Sequence, residues 1–408
     1  ETAAGLWSVW LRVRFPTDSG ALVFDQFDNA GALVLNEATN GLVTGFVDGP
    51  GGLVTVPRMY FSARIDVPVT SLAHADSTHE RSAVLGSIDL DVSNNRRAVL
   101  AVGTSFISIE QAHRNLDYDM WLARGGFDEI WAASRTAWNG VLGRLDVEGA
   151  TADQLTTLYS CLHRVRLYPN IAHENVGTPQ TPRWAYADPF CSVQEDGPTH
   201  TARPVVDGTL TTTDGFWDSY RASWPLRTLV WPTSTAELVD GFVEHYRRSG
   251  WTSRWSAPGP ADIMTGTSSD AVFADAALAG LDFDLESAYD ACLRNATTPS
   301  DDPRVGRKAM QRSLFRGFTD TETFEGMSWT VDAAINDAAI AVFSRVLADR
   351  FPTHRRIDEF RANATWFTAR AMNYASVFDA RTGFFRGRDR SGGFRPCLLY
   401  TSPSPRDS

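Results

Sequence analysis

The period of the hydrophobic pattern changes once along this chain, near residue 116, and that change limits what it can fold into. From residue 7 to about 116, apolar residues alternate in short runs broken by Gly, Asp and Asn, as in "LWSVWLRVRF", "GLVTGFV" and "MYFSARIDV". A period of two sends successive side chains to opposite faces of a strand, so this half reads as an antiparallel β-sandwich. Ile88, Leu90 and Val92 share one such face. Asn94-Asn95 can accept the positive φ of a turn, and Val99, Ala101 and Val102 follow, so the stretch predicts a hairpin.

After "ISIEQAHRNL" the period becomes 3.6. In "ATADQLTTLYSCLHRVRLYPN" the pair Thr151-x-x-Gln154 forms a capping box, and Leu155, Leu158, Tyr159, Leu162 and Val165 recur at helical spacing before Pro169. A second box, Ser234-x-x-Glu237, is expected to open a helix that closes on Gly250. Helical patterns also cover "SDAVFADAALAGL", "WTVDAAINDAAIAVFSRVLADRF" and "IDEFRANATWFTARAMNYASVF". Strands followed by a long run of helices make the chain α+β, the second part a helical array or toroid.

With 408 residues, the chain can build more than one core. A net charge of −11 without a basic stripe argues against nucleic acid or an anionic membrane as the partner, and no apolar run is long enough to span a bilayer. The opening "ETAAGLWSVW" has no signal-peptide pattern. Cys161, Cys191, Cys292 and Cys397 show no metal-ligand spacing, which leaves buried free thiols or a single disulfide. Phosphate-loop, zinc-protease, serine-hydrolase and dinucleotide motifs are missing, and "DLDVSNN" lacks the glycine and glutamate of a calcium loop. Acidic residues beside aromatics remain, among 13 Trp and 23 Phe, and these are the materials of glycoside hydrolysis.

The stretch "GFWDSYRASWPL" concentrates them. Asp214 is expected to cap a short helix, which would put Trp217 and Asp218 at its N-terminal rim, and Pro225 to kink the helix before Leu226, Leu229 and Val230 bury it. The same residues also allow a core helix in which Asp218 pairs with Arg221.

Extended to "GFWDSYRASWPLRTLVWP", the stretch resembles the W-D-S/T-F/Y-R-x-x-x-P-L-x-T-L signature of glycoside hydrolase family 92, the calcium-dependent, inverting exo-α-mannosidases. Blocks similar to the family's occur in order: "GTSFISIEQAHRNL", "VEGATADQLTTLYSCLHRVRLYPN", "SGWTSRWSAPGPADIMTGTSSDAVFADA", "EGMSWTVDAAINDAAIAVFSRVL" and "NYASVFDARTGFFRGRD".

The resemblance implies an N-terminal antiparallel β-sandwich followed by an (α/α)6 toroid, here incomplete. Residues 1–118 would be part of the sandwich, 119–150 a helical linker and 151–396 part of the toroid, while 397–408, "CLLYTSPSPRDS", reads as an artefactual tail. It implies an exo-acting α-mannosidase, α-1,2 first, acting on mannose-containing glycans with inversion, with Ca2+ as cofactor and an exported location. A branch that uncaps mannosyl-phosphate and a non-catalytic glycan-binding protein are the alternatives.

Substrate-binding roles fall on Trp217, Asp218, Arg221, Asp270 and Glu325, near Arg254-Trp255. Asp270 and Asp275 could equally cap and pair within a helix, and Glu325 could serve a helix dipole. Asp332 stands where many members carry a glutamate, which leaves any structural pairing there open. The family's general acid and general base fall beyond residue 396, its calcium ligands mostly so, and an N-terminal segment would precede residue 1. No catalytic or metal residue is therefore assigned.

Overall fold

The computed structural model describes residues 1–25, 31–35, 40–49, 56–76, 84–192 and 195–395. The Cys397 thiol and the tail from residue 397 lie outside them. The chain divides into two compact units, Glu1–Leu210 and Thr211–Ser408. Helices from residues 109–142 share a core with the strands of the first unit.

Among the described residues, nine strands build the sandwich of the first unit: β1 (Thr2–Ala4), β2 (Ser8–Arg14), β3 (Ser19–Asp25), β4 (Gly31–Val34), β5 (Leu42–Val47), β6 (Met59–Ile65), β7 (Val69–Asp76), β8 (Val84–Asp91) and β9 (Arg97–Ser105). They form two antiparallel sheets, β1-β2-β9-β6-β5-β4 and β3-β8-β7. Between them lie Val43, Ala63, Ile65, Ala98 and Leu100 from the first sheet and Ile88 and Leu90 from the second, with Val92 beside them. Alternation along each strand delivers these apolar side chains to the shared interior.

The expected hairpin around Asn94-Asn95 is not formed, since β8 and β9 belong to different sheets. The connection instead arches across the core. Arg96 takes φ +56°, and the Asn95 side chain accepts from the Arg97 amide. An arch and a hairpin need the same alternation and the same turn residues, because in both cases Ile88 and Leu100 must face one interior. The pattern alone does not separate them.

Strand β9 is covered on its other face as well. Helix α1 (Ile109–Ala123) and helix α2 (Phe127–Leu142) bring Leu116, Phe127 and Ile130 against Ala101, Trp10 and Ala3. Contact with α1 is close enough that a Cβ on Gly103 would lie 2.2 Å from the Ala112 carbonyl oxygen. Helix α3 (Ala152–Arg166) opens on the expected box, with the Gln154 amide donating to Thr151 Oγ1 at 3.3 Å and the Thr151 amide to Gln154 Oε1 at 2.9 Å. Of its expected apolar face, Leu162 is buried and the rest half-buried.

A buried polar knot ties α1 to the following loops. Glu174 accepts from the Phe106 amide at 2.8 Å and from Asn115 Nδ2 at 2.7 Å, and Gln111 donates to Asn115 and to the Asn175 carbonyl. Burial pushes the Glu174 carboxyl up to about 7.

The second unit is helical: α4 (Phe216–Ser219), α5 (Ser223–Val230), α6 (Pro232–Ser249), α7 (Ser269–Leu278), α8 (Leu285–Thr297), α9 (Met310–Ser313), α10 (Gly326–Arg350) and α11 (Ile357–Arg370). Their core joins Phe242 of α6, Phe273 of α7, Tyr289 of α8, Phe343 of α10 and Phe367 of α11. Alanines 274, 276 and 277 of α7 are buried in this core, while Asp275 of the same helix faces solvent.

Two helix starts differ from expectation. Helix α6 begins at Pro232 with no side-chain cap, and Ser234 inside it donates to the Trp231 carbonyl, so the Ser234-x-x-Glu237 box does not form. Proline at the first position wins because it has no N–H to leave unpaired and its φ is already helical. Helix α8 lies outside the helical patterns read from the sequence; Asp284 caps it by accepting from the Ser287 amide at 3.0 Å. Cys161, Cys191 and Cys292 are free thiols; Cys292 is buried, while Cys161 is exposed because α3 turns that face outward.

Two predictions follow from these contacts. Gly103→Ala is expected to lower stability by about 1–3 kcal/mol through overpacking against α1, measured as a shift in the denaturant midpoint. Glu174 is protonated more readily in the folded than in the unfolded chain, so its contribution is complete below the ordinary glutamate range and is lost as pH rises through about 7. That loss amounts to about 3 kcal/mol. Hydrogen exchange of the α1 amides, corrected for intrinsic rates, should show wild-type protection falling between pH 5 and 7.5 and Glu174→Gln flattening the trend.

Candidate functional site

The site begins at a strand pair. Asp214–Gly215 runs antiparallel to Trp255–Ser256, with Gly215 opposite Trp255, and Pro260–Ala261 adds a third strand. The chain passes directly from Gly215 into α4, so Trp217 and Asp218 occupy the first turn. A Cβ on Gly215 would sit 1.9 Å from Trp255 Nε1 and 2.5 Å from Asp218 Oδ2. Glycine is required there because the indole closes over it.

Asp218 is exposed, and Trp255 Nε1 donates to its Oδ2 at 3.3 Å. Trp217 is half-buried and donates from Nε1 to Asp332 Oδ2 at 3.1 Å. Thr265 Oγ1 donates to the same oxygen. Burial raises the Asp332 carboxyl above its ordinary range, and the two hydrogen bonds oppose that shift. The opposite outcome, an indole N–H buried without an acceptor, would cost about 1–3 kcal/mol. Asp332 thus holds Trp217 in place.

Arg221 does not pair with Asp218. It donates from Nη1 to the Trp217 carbonyl at 2.6 Å, and its guanidinium lies 4.8 Å from the Trp217 ring centroid and 4.4 Å from that of Tyr220. The i,i+3 pair fails because Arg221 already lies past the end of α4, and the indole and phenol faces attract the cation. The carboxylate of Asp218 is left facing outward, with one indole N–H on it.

Asp214 is not a helix cap. Gly215 takes that position, and Asp214 is a buried strand residue that accepts from Ser219 Oγ at 2.8 Å and Trp224 Nε1 at 2.9 Å. Burial raises its carboxyl above the ordinary range. Nor does Pro225 kink a helix. The chain breaks between α4 and α5, and Pro225 is the third residue of α5, where no intrahelical N–H bond is lost. Trp224 and Arg227 are the buried residues of α5, and Leu229 is 80% exposed.

Of the other expected binding residues, Asp270 is withdrawn from any ligand. It is fully buried in the first turn of α7, accepts from Thr267 Oγ1 at 2.7 Å and Asn295 Nδ2 at 2.9 Å, and pairs with Arg307 at 3.4 Å. Burial pushes its carboxyl up to about 6. Asp275 is exposed on the same helix. Glu325 is exposed at φ +59° just before α10, with no side-chain cap bond. Arg254 is buried against Asp262, donates to the Gly306 carbonyl at 3.2 Å, and has its guanidinium 5.1 Å from the Trp329 ring centroid.

The structure therefore brings together Trp217, Asp218, Arg221, Trp255, Thr265 and Asp332, and leaves Asp270 and Glu325 apart from them. Trp255 and Asp332 were in view in the sequence, but no local signal joins them to Trp217 and Asp218. Among the described residues, no three His, Cys, Asp or Glu side chains could hold a metal ion. These residues do not supply the carboxylate cage that the calcium implied by the resemblance would need.

The fold and the rim define a class: an antiparallel sandwich followed by helices whose first turns carry indoles and carboxylates. A family model, the glycosyl hydrolase family 92 catalytic domain, matches residues 111–406, and the chain belongs to this family. Among solved structures, the family GH92 inverting mannosidase BT2199 of Bacteroides thetaiotaomicron is similar at 26% identity and a TM-score of 0.81, over 96% of this chain and 51% of that one. The family GH92 α-mannosidase BT3965 of the same organism is similar in fold, with 19% identity and a TM-score of 0.75 over 98% of this chain and 53% of that one. The fold class is accordingly α+β, an N-terminal β-sandwich followed by helices of an (α/α)6 toroid. This chain spans about half the length of these structures. No curated protein matches it.

Gly215→Ala is expected to destabilise the second unit by about 1–3 kcal/mol, because the added Cβ would lie 1.9 Å from Trp255 Nε1 and the indole must shift. Denaturant unfolding checks the cost. Fluorescence quenching should show Trp255 more exposed to acrylamide in the variant.

Proposed function

We propose that residues 1–396 carry the sugar-recognition wall of an exo-acting α-mannosidase, and that in the longer enzyme it binds the non-reducing terminal mannose of a glycan. Family membership and the inverting mannosidase named among the similar structures support the reaction class. The observation that carries the binding role is the rim itself: an exposed Asp218 carboxylate beside two indoles, each indole fixed through its N–H. A carboxylate so placed accepts hydrogen bonds from neighbouring sugar hydroxyls, and the indole faces pack on the apolar face of the ring.

Hydrolysis with inversion requires a general acid at the leaving oxygen and a base-activated water on the opposite face. We assign neither to this chain; both are expected beyond residue 396. What residues 217, 218, 255 and 332 contribute is orientation. Asp332 and Thr265 hold Trp217, Trp255 steadies Asp218, and Asp218 would hold the hydroxyls that fix the ring against the acid. Action on α-1,2 linkages first, dependence on calcium and an exported location complete the proposal. They rest on the family alone, and no residue here is assigned to the ion. No helix among the described residues is long and apolar enough to cross a membrane.

The 408-residue chain is expected to release no mannose from α-1,2-, α-1,3- or α-1,6-linked disaccharides; release would place the catalytic carboxyls within it. In the longer enzyme, Asp218→Ala should lower kcat/KM at least about tenfold, equivalent to roughly 1.4 kcal/mol. Unchanged kinetics in a folded variant would remove Asp218 from the site.

A further inference from the structure

A contact that depends on the absence of a proton joins α1 to β6 in the first unit. Arg64 of β6 meets two side chains of α1 that stand one helical turn apart. Its Nη2 donates to His113 Nε2 at 2.5 Å, and its Nη1 pairs with Asp117 Oδ1 at 2.7 Å and reaches Met120 Sδ at 3.7 Å. The other imidazole nitrogen, Nδ1, lies 3.2 Å from Ser62 Oγ. A guanidinium only donates, so Nε2 has to accept. The ring is therefore neutral, with its one proton on Nδ1 and directed at Ser62. Geometry fixes both the charge and the tautomer of His113.

A proton added at Nε2 would face a cation at hydrogen-bond distance. Asp117 Oδ2 lies 3.9 Å from the same nitrogen and is the acceptor within reach. The neighbouring charges are already engaged. Glu110 and Arg114 of α1 pair with each other at 2.8 Å, and Asp119 accepts from the Leu6 and Trp7 amides and from Ser8. Across from α1, β5 carries no titratable residue and β9 has Arg97 alone, at its first position, while Arg12 of β2 and Asp128 of α2 pair at 2.7 Å. Arg64, His113 and Asp117 are each partly exposed, so solvent protons reach the ring.

We propose that His113 is a pH-sensing switch on α1: once protonated, it parts from Arg64 and turns to Asp117, so that acid replaces a tie between helix and sheet by a contact within the helix. Burial and the Arg64 charge hold the imidazole below its ordinary range, and Asp117 opposes them. The neutral, tied form is thus kept through neutral pH, and the exchange takes place as pH falls through that lowered value. The inference stands apart from the mannosidase reading, because none of these residues belongs to the rim.

Nuclear magnetic resonance of the 408-residue chain, with its methionine methyl groups labelled with carbon-13, tests it. The His113 ring signals, assigned through His113→Gln, are expected to titrate with a midpoint below about 6.5. The Met120 methyl, assigned through Met120→Leu, should shift at the same midpoint, since the guanidinium that must move lies against its sulfur. Arg64→Gln should raise the His113 midpoint by removing the cation, and Asp117→Asn should lower it. His113→Gln keeps an acceptor for Arg64 and should leave the Met120 methyl unresponsive between about pH 5 and 7.5. Circular dichroism confirms that the variants fold. A wild-type midpoint at or above about 6.5, a Met120 methyl that does not follow it, a Met120 titration that persists in His113→Gln, or a midpoint that Arg64→Gln leaves unchanged overturns the proposal.

Discussion

Four buried charges hold the helices of the second unit in register. Asp270 on α7, Arg307 on the connecting segment, Asp337 on α10 and Arg370 on α11 form a continuous chain of ion pairs, with Arg307 reaching both aspartates and Arg370 forking onto Asp337. Desolvating such groups is costly, so the network is weak evidence of net stability. Its directionality is the stronger point. Apolar contacts among Phe273, Phe343 and Phe367 would tolerate small slips of one helix along another, whereas a bidentate guanidinium–carboxylate pair tolerates none. Removing one partner would leave an uncompensated buried charge, a change of about 3–5 kcal/mol in comparable pairs.

That register matters for the site because α10 serves both. Asp337 faces the ion pairs, and Asp332, five residues earlier, accepts from Trp217 and Thr265. Asn336, between them, accepts from the Thr267 amide at 2.9 Å and so binds the loop that carries Thr265 to the same helix. A displacement of α10 would therefore move the acceptor that fixes Trp217. The rim is built on a long helix and a three-stranded ribbon, not on free loops, and rigid supports of this kind preorganise a binding wall.

The first unit uses a different means to the same end. Strand β9 has its Ala98 and Leu100 face in the sandwich and its Ala101 face under α1, so both sides are buried in apolar clusters. The polar knot of Glu174, Asn115 and Gln111 then closes the end of α1. Each of its members is satisfied by another, which is the condition under which a buried polar group fixes a conformation without a large cost.

By itself the sequence determined what depends on neighbours within a few residues. The change of period separated strands from helices. Thr151 and Gln154 met across one helical turn, and the glycine at 250 closed α6 as expected. The ordered blocks around Trp217 and Asp218 placed the chain in its family. Tertiary structure decided everything that depends on distant partners. The Trp217 indole meets an acceptor 115 residues away and that acceptor meets Thr265 across 67, so no local pattern could report either bond. Asp270 and Asp218 look alike in sequence, each an acid in the first turn of a helix. Burial beside Arg307 makes one a structural charge, and exposure beside Trp255 leaves the other free to meet a ligand. Burial is a property of the packed fold, and it is what turns identical side chains to different work.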